Sequence, residues 1–281
     1  MHFILFILTI LFFPISTEAK PTVLVSVAPH RYFVSKIAGD TVHVQEMVPA
    51  GASAHTFEPT PKQMISASNA KMWFTIGESF EKKVIETIKS YNPNFFVYDL
   101  RKGISLIHDP HHCCQHATHS CEDLHFWLSP RLAKIQAKTI TNALIEQFPH
   151  QEKLYNQNLN LFVKELEELD AKIQTILLKP HNSYILVSHP AYAYFCRDYN
   201  FEQLSIEYEG KDPTPQKLTK TLQLSKAKNI SVVFIQPQYS SKGAKLVAKE
   251  IGAKIVTLNP YSENYAETLL SIAQNFADQA P

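Results

Sequence analysis

A stretch of 27 residues, Glu152–Leu178, contains neither glycine nor proline and limits the folds open to this chain. Its apolar residues recur at alternating spacings of four and three, which is one stripe of an amphipathic helix. Such a helix would be roughly 40 Å long and would end at Lys179-Pro180. The stripe consists of Tyr155, Leu159, Phe162, Leu166, Leu169, Ile173 and Ile176.

Short β-rich runs alternate with helical patterns on both sides of this helix, which is typical of parallel sheets built from βαβ units. The chain is therefore predicted to be an α/β protein with two lobes, each with a parallel sheet and surrounding helices, joined by one long rigid helix. The ligand site is expected in the cleft between the lobes. The predicted strands are Thr22–Ala28, Val42–Val48, Lys71–Ile76, Phe95–Leu100, Tyr184–Ser188, Ser231–Ile235 and Lys254–Leu258. The predicted helices include Ser79–Ser90, Pro130–Gln147 and Ser240–Ile251.

The predicted boundaries are residues 20–149 for the N-terminal lobe, 150–179 for the connecting helix and 180–281 for the C-terminal lobe. A long apolar stripe is also compatible with a coiled coil between two chains. Two flanking α/β lobes favour an intramolecular helix and a monomer.

Charge gives no reason to expect nucleic acid as a partner. The chain has 27 Lys+Arg against 26 Asp+Glu, and no block of like charge appears in the sequence. Phosphate binding requires a concentrated basic face. The seven glycines form neither GxGxxG nor GxxxxGK[ST], so a loop that cradles phosphate is not predicted either.

The N-terminus is predicted to be a signal peptide over residues 1–19. An apolar run over residues 3–15 is followed by Thr17 and Ala19, which are small residues at positions −3 and −1 of a cleavage after Ala19. The run is shorter than the ~20 residues of a membrane-spanning helix. Only Met1 and His2 precede the run. A signal peptide usually has Lys or Arg there, so an uncleaved anchor is the alternative. Export to the periplasm and a soluble mature chain are expected.

A histidine-rich loop is predicted over residues 108–122, where histidines and cysteines occur without helical or strand periodicity. Such a loop offers ligands to Zn²⁺ or Cu⁺, and a solvated insertion without function is the alternative. The pairing of the cysteines stays open, and Cys196, outside the loop, is expected to be buried. The loop contains His108, His111, His112, His116 and His119 together with Cys113, Cys114 and Cys121.

Three other histidines lie where α/β folds place ligands. His55 is in a turn after a predicted strand, and His189 directly follows another. His125 precedes Ser129-Pro130, a natural N-cap and first helical residue. Ligands bind outside the carboxyl ends of strands in such sheets. Each histidine alone is better explained as a hydrogen-bonded structural residue, but three imidazoles converging in the cleft would suit Zn²⁺.

Three segments carry a resemblance to a known family. They are PAGASAHTFEPTP over residues 49–61, DLHFWLSP over residues 123–130 and SHPAYAYF over residues 188–195. They resemble the zinc/manganese solute-binding proteins of ABC transporters, and in particular the ZnuA-like zinc branch, which carries a histidine-rich loop before its DPHxWLSP segment. The segments IEYEGKDPTP over 206–215 and FIQPQYS over 234–240 also match.

The resemblance implies that His55, His125 and His189 are metal ligands. It also implies a fourth ligand after the last strand, usually an aspartate, where this chain has Asn259. Asn259 is therefore a candidate fourth position, with water, a loop histidine, Glu207 or Glu209 as alternatives. A carboxylate at position 259 is expected to raise zinc affinity, because it would compensate the charge of the ion.

The function expected from these features is an extracytoplasmic receptor that captures Zn²⁺ and delivers it to an ABC permease. A manganese or iron receptor of the same family is one alternative. An exported zinc-dependent hydrolase is another, because three histidines with an open position also describe a catalytic zinc site. The chain has no HExxH motif, so an enzyme is not expected. A second, adhesive role stays open.

Overall fold

The structure is a computed structural model that describes residues 19–108, 122–207 and 213–279. The predicted signal peptide lies almost wholly outside these ranges, as does most of the histidine-rich loop. The described residues form eight strands: β1 Thr22–Val25, β2 His43–Glu46, β3 Met72–Thr75, β4 Phe96–Asp99, β5 Tyr184–Val187, β6 Glu202–Ser205, β7 Val232–Ile235 and β8 Lys254–Thr257. The same residues form nine α-helices: α1 Ala28–Ala38, α2 Pro61–Ser68, α3 Ser79–Tyr91, α4 Pro130–Gln147, α5 Glu152–Ile176, α6 Ala193–Tyr199, α7 Pro215–Ala227, α8 Lys242–Ile251 and α9 Tyr265–Ala277.

The strands form two parallel four-stranded sheets with the same topology, one on each side of α5. Their orders are β2-β1-β3-β4 and β6-β5-β7-β8. The prediction of two α/β lobes with parallel sheets is therefore confirmed. Strand β6 was not predicted, because Glu202–Ser205 has a single aliphatic residue, Leu204, and lies at the edge of its sheet, where little apolar surface is needed.

The long helix forms as predicted and packs within the chain. Helix α5 contacts α1 and α4 on the N-terminal side and α9 on the C-terminal side. Most of its stripe is buried, and Leu159 and Ile176 are partly buried. The apolar stripe of α5 therefore packs against helices of the same chain, as predicted, and not in a coiled coil between chains. The buried stripe residues are Tyr155, Phe162, Leu166, Leu169 and Ile173.

Helix α4 begins as the sequence predicts. The Ser129 hydroxyl accepts a hydrogen bond from the backbone N–H of Leu132 at 3.1 Å, and Pro130 occupies the first helical position. This cap fixes the direction of the chain that leads into the helix, and His125 lies in that segment.

One apolar core extends through both lobes, while a second, smaller cluster lies beneath α7 and α8. The main core includes Phe33 and Phe162 on the N-terminal side and Phe234 and Phe276 on the C-terminal side. The smaller cluster consists of Leu186, Ile206, Ile230, Val233, Ala244, Val247 and Ala248. Within the described residues, no helix is both long enough and apolar enough to cross a membrane.

Candidate metal centre

Three imidazoles meet between the two lobes. His55 lies in the short 3-10 helix Ala54–Thr56 that follows β2. His125 precedes the 3-10 helix Phe126–Leu128, whose end leads into α4, and His189 follows β5. Parallel strands of one sheet expose their carboxyl ends at the same edge, so the two lobes present these residues to a common cleft. The structure thus brings together the three histidines that the sequence singled out.

One nitrogen atom from each of the three rings lies close to the others. Nε2 of His55 lies 3.3 Å from Nε2 of His189, and one nitrogen from each ring lies within 4.8 Å of the others. The ring centroids are 5.1 to 5.3 Å apart. Two nitrogens bound to tetrahedral zinc at about 2.05 Å are about 3.3 Å apart, so the His55–His189 spacing fits a shared zinc ion.

A carboxylate lies beside the other nitrogen of each ring. Nδ1 of His55 is 3.1 Å from Glu78 Oε1, and Nδ1 of His189 is 3.3 Å from Glu207 Oε1. Oδ1 of Asp123 is 2.8 Å from both Nδ1 and the backbone nitrogen of His125. A carboxylate that accepts the Nδ1 proton leaves the Nε2 lone pair free for a metal and makes it more basic.

These carboxylates also change the charge argument made from the sequence. Three neutral imidazoles alone would leave the charge of a divalent ion uncompensated, but Glu78, Asp123 and Glu207 supply negative charge one ring away. Glu207 was an alternative for the fourth ligand, and the structure instead puts it behind His189. Glu209, the other carboxylate alternative, lies outside the described residues.

Sequence reasoning missed Glu78 and the role of Asp123. Glu78 occupies the N-cap position of α3 without capping it, so its side chain is available to His55. Nothing in the local sequence indicates this pairing, because 23 positions separate the two residues. Asp123 could have been found, since an aspartate two residues before a histidine can bond both its backbone and its ring.

The amide oxygen of Asn259 is bonded to groups other than the imidazoles. Its side chain is exposed, and its amide oxygen accepts hydrogen bonds from Gln238 Nε2 at 2.7 Å and from the Tyr261 backbone at 3.1 Å. Two residues further on, the Tyr261 hydroxyl lies 3.2 Å from Nε2 of His125. The side chain that faces the metal site after β8 is therefore the buried phenol of Tyr261. The amide oxygen of Asn259 is already bonded within the turn.

Two residues of the segment that follows β7 hold His189 in place. Gln236 brackets the histidine backbone: its Oε1 accepts the His189 N–H at 3.1 Å and its Nε2 donates to the His189 carbonyl at 2.8 Å. The Tyr239 ring stacks on the imidazole with centroids 3.9 Å apart. Burial raises the pKa of the Tyr239 phenol, which therefore stays neutral. Neither residue was predicted individually, although both lie in the FIQPQYS segment.

Among the described residues, the site is exposed to solvent at His55. The His55 side chain is 18% exposed, whereas His125 and His189 are 2% and 0% exposed. A cleft of about 540 Å³ opens beside His55, between the 3-10 helix, α2 and α3. An ion would therefore meet His55 first.

The predicted accessory residues are described only in part. His108 pairs with Glu122 in an isolated antiparallel bridge that closes the base of the loop. His111, His112, His116 and His119 lie outside the described residues, as do Cys113, Cys114 and Cys121. Cys196 is buried in α6 as expected, and burial raises the pKa of its thiol.

Two α/β lobes on a stiff helix, with a nitrogen-lined site in the cleft, define a class: the solute-binding receptors that carry metal ions for ABC-type uptake systems. The family described as zinc-uptake complex component A, periplasmic (ZnuA), matches residues 23–279. The chain belongs to this family, whose members are transport receptors rather than enzymes.

Curated relatives and solved structures agree on the family and differ in the metal named. A putative metal-binding protein of Chlamydia trachomatis is 34% identical over 93% of this chain and 92% of its own. The zinc uptake protein ZnuA of Bacillus subtilis is 29% identical over 82% of this chain and 75% of its own. The iron-binding protein YfeA of Yersinia pestis is 27% identical over 86% and 77%. A crystal structure of ZnuA is 36% identical, with a TM-score of 0.85 over 92% of this chain and 99% of that one.

Proposed function

We propose that this protein captures Zn²⁺ outside the cytoplasm and delivers it to an ABC permease. The observation that carries the proposal is the cluster of three imidazoles, in which one nitrogen of each ring lies within 4.8 Å of the others and each Nδ1 lies beside a carboxylate. Nitrogen ligands favour zinc over the harder manganese ion, which prefers oxygen. The zinc named for the Bacillus subtilis relative supports the same assignment.

His55, His125 and His189 are the proposed ligands, and the Tyr261 hydroxyl is proposed to line the fourth side. A phenol that burial keeps neutral adds no negative charge to the ion. A water molecule held between the ion and this hydroxyl would complete a tetrahedron. A site without a direct carboxylate ligand is expected to discriminate against Mn²⁺ more strongly than one that has it.

Capture is proposed to proceed from the exposed side of the cleft. His55 meets the ion first, and the buried His125 and His189 then replace further water molecules of its hydration shell. Because zinc competes with protons for imidazole, affinity is expected to fall below neutral pH. The rigid α5 favours local adjustment of the loops over a wide closure of the lobes.

The test is metal binding by the purified protein and three single variants. His55→Ala, His125→Ala and His189→Ala are each expected to weaken zinc binding at least about tenfold, because each removes one of three nitrogen ligands. His150→Ala, an exposed histidine beyond α4, is the matched control and should bind like the parent. Calorimetry with zinc and manganese in competition gives both the affinity and the preference. Wild-type affinity in all three variants, or a preference for manganese or iron, would contradict the proposal.

The histidine-rich loop is proposed to be accessory, on the basis of its composition alone. His108, His111, His112, His116 and His119 would hold additional zinc weakly, since nothing in the sequence gives them a fixed geometry. Deletion of residues 108–121 is expected to leave one tightly bound zinc and to remove weaker equivalents. Loss of the tight site on deletion would make the loop the primary binder.

The remaining parts of the proposal concern location and assembly. Cleavage after Ala19 would release a soluble periplasmic protein, and N-terminal sequencing of the exported protein tests it. The core that runs through both lobes supports a monomer as the working form, with a permease subunit as its partner.

A further inference from the structure

The outer face of the C-terminal lobe carries a strong positive charge. The segment 213–254 contains eight lysines and one acidic residue, Glu250, whereas the other 239 residues contain 19 Lys+Arg and 25 Asp+Glu. A chain with a net charge of +1 is thus divided into a basic face and an acidic remainder. We call this surface the lysine face; its exposed lysines are Lys217, Lys220, Lys226, Lys242, Lys245, Lys249 and Lys254.

The fold gathers these lysines although they are spaced apart in sequence. Helices α7 and α8 pack against each other over the smaller apolar cluster. Lys242, Lys245 and Lys249 recur at spacings of three and four, so they share one side of α8. Lys254 lies on β8, the edge strand beside α8. The sequence shows no block of like charge, because the lysines are brought together by the packing of these elements.

Most of this charge is not neutralised within the protein. Among the residues that the structure describes, Lys220, Lys226, Lys242, Lys245, Lys249 and Lys254 form no ion pair. Like charges on neighbouring turns repel one another, and unpaired lysines cost stability unless a partner of opposite charge lies nearby. The face is therefore complementary to an extended anionic surface.

Exposed aliphatic side chains are interspersed with the lysines. Leu224 on α7, Leu246 on α8 and Ile255 on β8 are 37%, 46% and 41% exposed. A surface of lysines around single aliphatic residues fits a lipid interface, where ammonium groups meet headgroups and short apolar side chains enter the acyl boundary. Protein interfaces instead depend on Trp, Tyr and Arg in pockets, and the exposed residues of α7 and α8 include none of these.

We propose that the lysine face docks the protein on a membrane surface rich in anionic phospholipid. Docking would hold the receptor close to its permease and reduce its search to two dimensions. The inference does not depend on the metal site, because none of its residues contacts the three histidines.

The test is co-sedimentation of the exported protein with lipid vesicles. Phosphatidylcholine vesicles containing about one quarter phosphatidylglycerol are expected to bind it, and pure phosphatidylcholine vesicles are not. Binding should fall steeply between about 20 mM and about 500 mM NaCl, since salt screens charges. The triple variant Lys226→Glu/Lys245→Glu/Lys249→Glu should lose at least about tenfold in affinity.

A control with the same change in net charge separates the face from total charge. Lys62→Glu/Lys82→Glu/Lys89→Glu alters exposed lysines of α2 and α3 in the N-terminal lobe and should bind vesicles like the parent. Circular dichroism and zinc titration of both variants report on folding and on the metal site independently. Equal loss in both variants, or binding to neutral vesicles, would overturn the proposal. A parent protein that binds neither kind of vesicle would also overturn it, and impaired zinc uptake by cells carrying the lysine-face variant would then indicate an acidic protein partner.

Discussion

At the scale of single residues, the site is organised by what lies behind each ligand. A hydrogen bond to the second ring nitrogen orients a metal-binding histidine and makes it more basic, and Glu78, Asp123 and Glu207 lie beside Nδ1 of the three rings. The fourth side of the metal site depends on two residues after β8. Asn259 holds a turn, and Tyr261 faces His125. The difference between these two side chains leads to a direct test.

Replacement of the Tyr261 phenol is expected to change zinc affinity more than addition of a carboxylate at position 259. Tyr261→Phe removes the hydroxyl that faces Nε2 of His125 and should lower zinc affinity about threefold to tenfold, on the scale of one hydrogen bond. Asn259→Asp should leave the affinity within about twofold, because its oxygen stays bonded to Gln238 and to the Tyr261 backbone. Calorimetric titration with zinc measures both. A large gain in Asn259→Asp would restore the expectation from the sequence and contradict the position seen in the structure.

A buried carboxyl near the site makes stability depend on pH. Burial raises the pKa of Glu81 to about 7, although the Ser26 hydroxyl and the backbone N–H groups of Ile76 and Gly77 donate to it. Since the folded pKa exceeds the unfolded one, this group stabilises the fold below about pH 4.5, and the contribution is lost as pH rises through 7.

Between about pH 5 and about pH 8, Glu81 is expected to lower the free energy of unfolding of the metal-free protein by up to about 3 kcal/mol. Urea unfolding of the parent and of Glu81→Gln at both pH values measures the effect. The variant should lose most of this pH dependence, and Glu86→Gln, an exposed residue of the same helix, should keep it. An identical pH dependence in the parent and Glu81→Gln would show that the carboxyl ionises freely in the fold.

At the scale of elements, α5 is the structural axis of the molecule. It packs on α1 and α4 from one lobe and on α9 from the other. The ring of Phe162, a residue of α5, contacts the ring of Phe33 at a centroid distance of 5.4 Å and that of Tyr32 at 5.8 Å. The neighbouring Leu161 is 63% exposed, so adjacent positions on one helix differ sharply in burial.

Phe162→Ala is expected to lower the free energy of unfolding by about 3–5 kcal/mol, because it removes a fully buried ring from the core. Leu161→Ala is the matched control and should change it by less than about 0.5 kcal/mol. Urea denaturation followed by circular dichroism gives both values. A small effect at Phe162 would mean that the packing around α5 can collapse to fill the space.

At the scale of the whole molecule, the metal site and the core both join the lobes. His55 and His125 belong to elements of the first lobe and His189 to the second, and Trp127 Nε1 donates to the Pro260 carbonyl across the boundary at 2.9 Å. Tyr265 donates back to the Trp127 carbonyl at 2.7 Å. A continuous core with bonds across the boundary favours one cooperative unit over two independent ones.

Calorimetry is therefore expected to show one unfolding transition in the metal-free protein and one in the zinc-bound protein. Zinc at about 100 times its dissociation constant should add about 2.7 kcal/mol, because only the folded chain brings the three ligands together. That corresponds to a rise in Tm of roughly 5 to 10 °C for a chain of this size. His189→Ala should show no such rise. Two transitions, with zinc shifting only one, would show that the lobes unfold separately.

The sequence by itself predicted most of the elements and singled out the three histidines. Periodicity predicted α5 and seven of the eight strands among the described residues, because buried faces impose regular spacing of apolar residues. The positions of His55, His125 and His189 followed from the rule that ligands lie at the carboxyl ends of strands, and family resemblance strengthened the assignment.

Only the tertiary structure decided which groups surround these histidines. Glu78 and Tyr261 are separated in sequence by 23 and 136 positions from the rings they face, and no local pattern encodes such a pairing. The lysine face arises in the same way, since folding brings together charges that are dispersed along the chain. Local spacing reports which side of an element is buried, whereas the identity of its neighbours depends on how distant elements pack.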